Sequence, residues 1–297
     1  PVYSQCLVTK TTNLIVQYSL FNSTHFEGLF NGCKMIAFLA LFCSCIGITN
    51  AIANGQPTDR GEYPYVVAIF EDVFIVSGFK CAGVLIAPGW VLTAAHCYTR
   101  GNDPADYEVI TGVYDLNNLG EVQEQEFNVQ SFTVHPEYVG GGSQNHDIAV
   151  IQLSGQADVS GRWTKTVPLA SAGSTFFNQN CTITGWGETI TGQPSEVLEE
   201  GFGRINTDQE CDQRWTNIQM TANHTCIGGD NIESGIAMCP GDGGGALQCT
   251  ENANNVVAGI ASFAIAICAD APRLPSVYTD VTKYRDWICT TTNNEVC

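Results

Sequence analysis

The chain has 297 residues, with 12 Lys+Arg against 30 Asp+Glu and a formal net charge of −18. This acid excess argues against a nucleic-acid binder and against a protein held on a membrane by basic residues. A hydrophobic content of 44% supports a packed core and excludes wholesale disorder, while 30 Gly and 14 Cys point to a turn-rich chain from an oxidising compartment.

In chain order, residues 1–34 begin without Met and show no sustained periodicity. Met35 reads as the start, with 1–34 as upstream sequence absent from the mature protein; a genuine N-terminal extension is the alternative. Met35–Ala51 reads as a signal peptide. Its apolar stretch Ile36–Ile48 suits a secretory h-region and falls short of the ~20 residues that span a bilayer. Cleavage after Ala51 places Thr49 and Ala51 at the exit positions. Cleavage after Ala53 uses Ala51 and Ala53, a closer match to A-x-A, and both sites stay open. Cys6, Cys33, Cys43 and Cys45 precede residue 52, and the ten cysteines that follow are even in number, as a disulfide framework requires.

Past residue 52 the pattern is one of short β-type runs broken by Gly, Pro, Asn and Asp. Tyr65–Phe70, Val84–Ala87, Val91–Leu92, Tyr107–Thr111, Phe127–Val134, Ile148–Leu153, Thr182–Gly185, Val256–Ser262 and Ser276–Val281 all have strand character. Many short strands with intervening turns indicate an all-β barrel or sandwich. Val281, Tyr284 and Ile288 stand at helical spacing and predict a short C-terminal helix over Val281–Cys289. Three segments carry chemistry. The apolar run Gly89–Cys97 ends on His96 beside a Cys; Asn145-His146-Asp147 precedes an apolar strand; Cys239–Leu247 is Gly-rich with one Asp. Singly, each reads as structural. A His with an Asp to orient it is the support half of a nucleophile–base–orienter arrangement.

In this order the segments resemble the trypsin/chymotrypsin-like serine proteases. Leu92–Cys97 is similar to the family's His motif, Asn145–Ala149 to its Asp motif, Gly185-Trp186-Gly187 to its Gly-Trp-Gly, and Cys239–Leu247 to its Gly-Asp-Ser-Gly-Gly-Pro-Leu. Ile52-Ala53-Asn54-Gly55 is similar to the mature N-terminus, and Pro275–Thr279 to the strand behind the specificity pocket. The resemblance covers 52–297. It implies two six-stranded antiparallel β-barrels, about 52–170 and 171–297, with the active site between them.

The resemblance assigns His96 and Asp147 to the triad. It places Gly243 where the family has its nucleophilic Ser, with Ala246 departing from Pro nearby. Loss of a triad member costs about 10⁴–10⁶ in turnover. The expectation is therefore a secreted serine protease homologue that is not an enzyme and acts as a binding, cofactor or decoy protein. One alternative is an active endopeptidase of chymotrypsin or elastase type; another is a venom- or salivary-type antigen acting through its acidic surface. The backbone N–H groups of Gly241 and Gly243 match the oxyanion hole, which needs no side chain. Ile52 and Asp242 match the N-terminal switch, in which a freed ammonium pairs with the Asp. Ala237, Ser262, Ala264 and Ser276 match the primary pocket, uncharged at its base and suited to small apolar side chains; Phe263 replaces the usual Trp.

The resemblance also selects the pairs Cys81–Cys97, Cys181–Cys249, Cys211–Cys226 and Cys239–Cys268, leaving Cys289 and Cys297 to pair with each other. Asp115, Glu121, Glu124 and Glu126 lie in a stretch similar to the family's calcium loop, but Val113 stands where an acidic ligand is expected; the loop reads as solvated, and no cofactor or metal is expected. Asn223-His224-Thr225 is a glycosylation acceptor, and Asn180-Cys181-Thr182 a poorer one. His135 and His146 read as packing or surface residues. The expected partner is a protein or peptide, with a basic one fitting the charge; no nucleic acid or membrane anchor is expected.

Overall fold

The computed structural model describes residues 51–297 apart from 74–75, 143, 190–192, 230–234 and 266–273. Residues 1–34 and the expected signal segment up to residue 50 lie outside the described residues.

Six strands, β2 (Val66–Val73), β3 (Val76–Ala87), β4 (Trp90–Thr93), β5 (Tyr107–Thr111), β6 (Gln125–Val134) and β7 (Ala149–Leu153), close into an antiparallel barrel in the order β2-β3-β4-β7-β6-β5. β-Branched and aliphatic residues supply its interior. Ile69, Leu85, Leu92 and Ile151 are all fully buried. β4 is buried at every position and joins β3 through the Pro88-Gly89 turn. Seven further strands, β1 (Gln56–Pro57), β8 (Asn180–Gly185), β9 (Glu199–Arg204), β10 (His224–Ile227), β11 (Ala246–Glu251), β12 (Asn254–Phe263) and β13 (Ser276–Asp280), form one sheet in the order β1-β9-β8-β11-β12-β13-β10.

The second half thus departs from a plain six-stranded barrel. β1 is a two-residue strap laid on β9, with Gln56 opposite Glu200. The six remaining strands curl until an isolated bridge between Ile205 and Ile227 joins the β9 end to β10. Glycines permit that curl. A Cβ on Gly203 of β9 would lie 2.7 Å from the Ile236 side chain, so the strand passes too close to its core for a larger residue.

Two α-helices complete the described chain. α1 (Asp208–Arg214) opens on a capping box in which Thr207 accepts from the Glu210 N–H and Glu210 reaches back to the Thr207 N–H. The expected C-terminal helix is a 3₁₀ turn over Val281–Lys283 followed by α2 (Arg285–Thr291). Val281, Tyr284 and Ile288 are buried in the same apolar cluster as Trp90, Leu92 and Val150 of the first barrel, so the last helix packs on the first half of the molecule. Trp90 Nε1 also donates to Glu295 Oε2 at 3.1 Å.

Disulfides Cys81–Cys97, Cys181–Cys249, Cys211–Cys226 and Cys289–Cys297 are formed as expected. Cys239 is disulfide-bonded too, while Cys268 lies outside the described residues.

Leu92 is fully buried in the first barrel, and truncating it leaves a cavity that a closed barrel cannot collapse around. Leu92→Ala should lower unfolding free energy by about 2–5 kcal/mol, read as a lower denaturant midpoint at unchanged slope in a urea titration.

Candidate active site

His96 sits in a 3₁₀ turn, Ala95–Cys97, at the end of β4. The Cys81–Cys97 bridge ties that turn to β3. Asp147 stands just before β7, after His146, whose backbone is left-handed at φ 59°. The Asp147 side chain is completely buried. Its Oδ1 accepts the His96 backbone N–H at 2.8 Å, and its Oδ2 faces His96 Nδ1 at 2.7 Å. Oδ2 also accepts from Ser262 Oγ of β12 at 2.5 Å, and Thr279 Oγ1 of β13 donates to the Asp147 carbonyl at 2.8 Å. A buried carboxylate needs such donors. Here they come from both halves of the fold and fix the His96 ring, leaving Nε2 turned away from Asp147.

Nε2 faces Gly243. A Cβ built on Gly243 would lie 2.4 Å from His96 Nε2 and 3.0 Å from its Cε1. The ring therefore occupies part of the room a side chain at 243 would use. The turn carrying Gly243 is bonded to the first barrel, with the Ala82 N–H donating to the Gly243 carbonyl at 2.9 Å. Gly241 is left-handed at φ 95°, a conformation glycine adopts without strain. Among the described residues, neither the Gly241 nor the Gly243 N–H has a protein acceptor. The structure thus brings His96, Asp147, Ser262, Gly241 and Gly243 together.

With the chain continuing N-terminal to Ile52, Ile52 and Asp242 are not paired. Ile52 is buried, but its nitrogen here is a chain amide, not an ammonium, and it donates to Glu199 Oε2 at 3.3 Å; the Ala51 N–H reaches the same oxygen at 2.6 Å. Asp242 is instead satisfied by the N–H groups of Gly187 and Cys239, each at 2.7 Å. Burial pushes the Asp242 carboxyl up to about 7 against the pull of those two donors, with the charge of Glu199 adding to the rise. Burial raises Glu199 too, partly offset by its N–H donors and by Ser195, whose Oγ lies 3.2 Å from Oε1. Glu199, Ser195 and Thr279 carry no motif of their own in the sequence; the adjacent acids Glu199-Glu200, directly after apolar Val197-Leu198, are the available signal.

Of the pocket positions, Ala237 is fully buried and its carbonyl accepts the Ala53 N–H at 2.9 Å. Ser276 is fully buried, its hydroxyl accepting the Met238 N–H at 2.8 Å. Ala264 packs at the margin of the core that holds Ile52 and Ile183. Phe263 lies edge-on to both Trp215 and His224.

In the acidic stretch, Glu121 pairs with Arg60 at 2.6 Å and Asp115 accepts the Asn117 N–H at 2.9 Å. Glu124 Oε2 accepts the N–H groups of Gly120 and Glu121, and Glu126 is a β6 residue opposite Ile110. Asn223 donates from its side-chain amide to Asn145 Oδ1 at 3.1 Å, a bond a glycan there would have to replace.

Residues 52–288 match the model of the trypsin family. The chain is 33% identical over 249 residues to the chymotrypsin-like elastase family member 1 of Felis catus, covering 81% of this chain and 89% of that protein. It is 32% identical to the protein of the same name from Canis lupus familiaris, covering 81% and 92%. It is also 31% identical to 15% of the ovochymase of Halocynthia roretzi.

The chain belongs to the trypsin family. Its fold is the chymotrypsin-like one the motifs imply. One expectation is overturned. The reading that the chain is not an enzyme rests on the missing side chain at 243 alone, whereas the relatives it matches along about nine-tenths of their length are named as elastases. One position does not outweigh a whole domain in which the His96–Asp147 pair is assembled. The disulfides fit an oxidising, extracellular setting, and no helix of the described residues is long and apolar enough to cross a membrane.

Glu199 carries a pH consequence. An acid whose folded pKa is raised binds protons more tightly in the folded state, so stability falls as pH rises above the unfolded value. The window opens at the ordinary carboxylate value of 4.5 and runs upward. In thermal melts between pH 4 and 7, Glu199→Gln, which can keep the Ala51, Ile52 and Ser195 bonds, should flatten that fall.

Proposed function

We propose that the chain acts on polypeptides as a secreted, elastase-like member of the trypsin family in which His96, held by Asp147, serves as a base toward water instead of toward a side-chain oxygen. The observation that carries this reading is the position of His96 Nε2, aimed at the place where Gly243 offers no side chain. In this scheme the scissile carbonyl lies with its oxygen toward the N–H groups of Gly241 and Gly243, which stabilise the developing negative charge. A water beside His96 loses a proton to Nε2 as its oxygen bonds to the carbonyl carbon. The imidazolium is stabilised by the Asp147 carboxylate. It then returns the proton to the departing amine as the C–N bond breaks, giving acid and amine directly with no acyl-enzyme.

The small, uncharged positions Ala237, Ala264 and Ser276 favour small apolar side chains in the primary pocket. Without a side-chain nucleophile the residual acceleration is about 10³–10⁴ over water, so turnover is slow. The net charge of −18 favours basic polypeptides among those partners.

The test is hydrolysis of peptides with alanine or valine at the cleaved bond. The protein should turn them over slowly, with no burst and no inhibition by reagents that acylate or phosphorylate a serine. His96→Ala should lower the rate at least tenfold. Gly243→Ser, once the His96 ring yields to the new Cβ, should raise the rate and restore inhibition. Turnover unchanged by His96→Ala, or blocked in the unaltered protein by a serine-directed reagent, would sink the proposal.

A further inference from the structure

His135 and His146 are not the unconnected packing residues the sequence suggests. His135 follows β6, and its backbone N–H donates to the Ile148 carbonyl at 3.0 Å, bringing it against the segment that carries His146. The two imidazoles stack with ring centres 4.9 Å apart and planes within 6°. Tyr284 lies edge-on to both rings, and Trp287 covers His135 at 4.9 Å. Glu137 reaches over from the exposed side, with Oε2 at 3.3 Å from His146 Nε2. One ligand atom from each of His135, Glu137 and His146 lies within 4.8 Å of the other two.

We propose that His135, His146 and Glu137 form a binding site for a divalent transition metal of the zinc or copper class, separate from the His96 cleft. Two imidazoles and one carboxylate are a donor set for such ions, which leave a further position for water. Ligands about 2.1 Å from a tetrahedral ion stand about 3.4 Å apart, so the group must close by about an ångström. The Glu137 side chain, 69% exposed, is free to make that movement, and ring rotation supplies the rest.

His146 is already oriented. Tyr284 Oη lies 3.0 Å from its Nδ1, where it would accept the Nδ1 proton of an imidazole bound to a metal through Nε2. On His135, the 3.3 Å contact of Nδ1 with the Glu137 N–H is long enough to give up. Among the described residues the other close grouping of donor residues, Cys81, His96 and Cys97, has both sulfurs in a disulfide and offers no thiolate.

Zinc chloride titrated calorimetrically into the protein at pH 7.5 tests the site. One equivalent should bind. Affinity should fall at least tenfold in His135→Gln and in His146→Asn, the latter chosen because Asn tolerates the left-handed backbone at 146. Glu137→Gln, at an exposed side chain that folding does not depend on, should also weaken binding, and His96→Ala should leave it unchanged. No heat at millimolar zinc, binding that survives all three substitutions, or binding lost in His96→Ala would overturn the proposal.

Discussion

The buried carboxylate of Asp147 joins the two halves of this molecule at the place where its chemistry lies. It sits at the mouth of the closed barrel, yet its side-chain and backbone oxygens are satisfied partly from the other sheet, by Ser262 at 2.5 Å and Thr279 at 2.8 Å. An ionised carboxylate without such donors would cost several kcal/mol in that environment. The seam between the halves is therefore held in register by the need to satisfy one anion. His96 inherits its orientation from the same group, through both its ring and its backbone N–H.

Much of this is legible in the sequence. β5 falls on Tyr107–Thr111, where one aromatic and three consecutive β-branched residues mark a strand. The three short motifs meet in one cleft because each is a local signal, a turn or strand end whose residues are dictated by neighbours a few positions away. Strands β9, β10 and β11 were missed for a physical reason. Glu199–Arg204 has two acids and two glycines among its six residues and is a strand because β8 offers it a hydrogen-bonding edge. The pairing of Ile52 depends on a covalent state, amide or ammonium, that no residue pattern records. His135, Glu137 and His146 come together through the path of the β6–β7 connection, which spacing alone does not give. α1 had a readable start in Thr207-x-x-Glu210, too short a helix to show periodicity.

The acid excess also has an internal component. Glu71, Asp147, Glu199, Glu200 and Asp242 are all buried. Lys80 meets Glu71 at 2.7 Å. The others lean on neutral donors: Glu200 on Gln56 and the Tyr63 hydroxyl, Asp242 on two backbone amides, Glu199 on two amides and a serine. Surface charge alone is thus a poor summary of this chain. Part of its acid complement lies in the interior, where Glu199 and Glu200 meet the N-terminal segment.

The docking of the last helix on the first barrel has a consequence for how the chain acquires its structure. The strands of that barrel are complete by Leu153, but their apolar cluster includes Val281, Tyr284 and Ile288 from the other end of the sequence. During synthesis the first half emerges with its sheet residues present and part of its core still on the ribosome. It cannot reach its final packing until the second sheet and the C-terminal helix have been made. The molecule is therefore not two modules strung in order but a single cooperative unit closed by its own tail, and loss of the final turn would be felt in the half of the protein translated first.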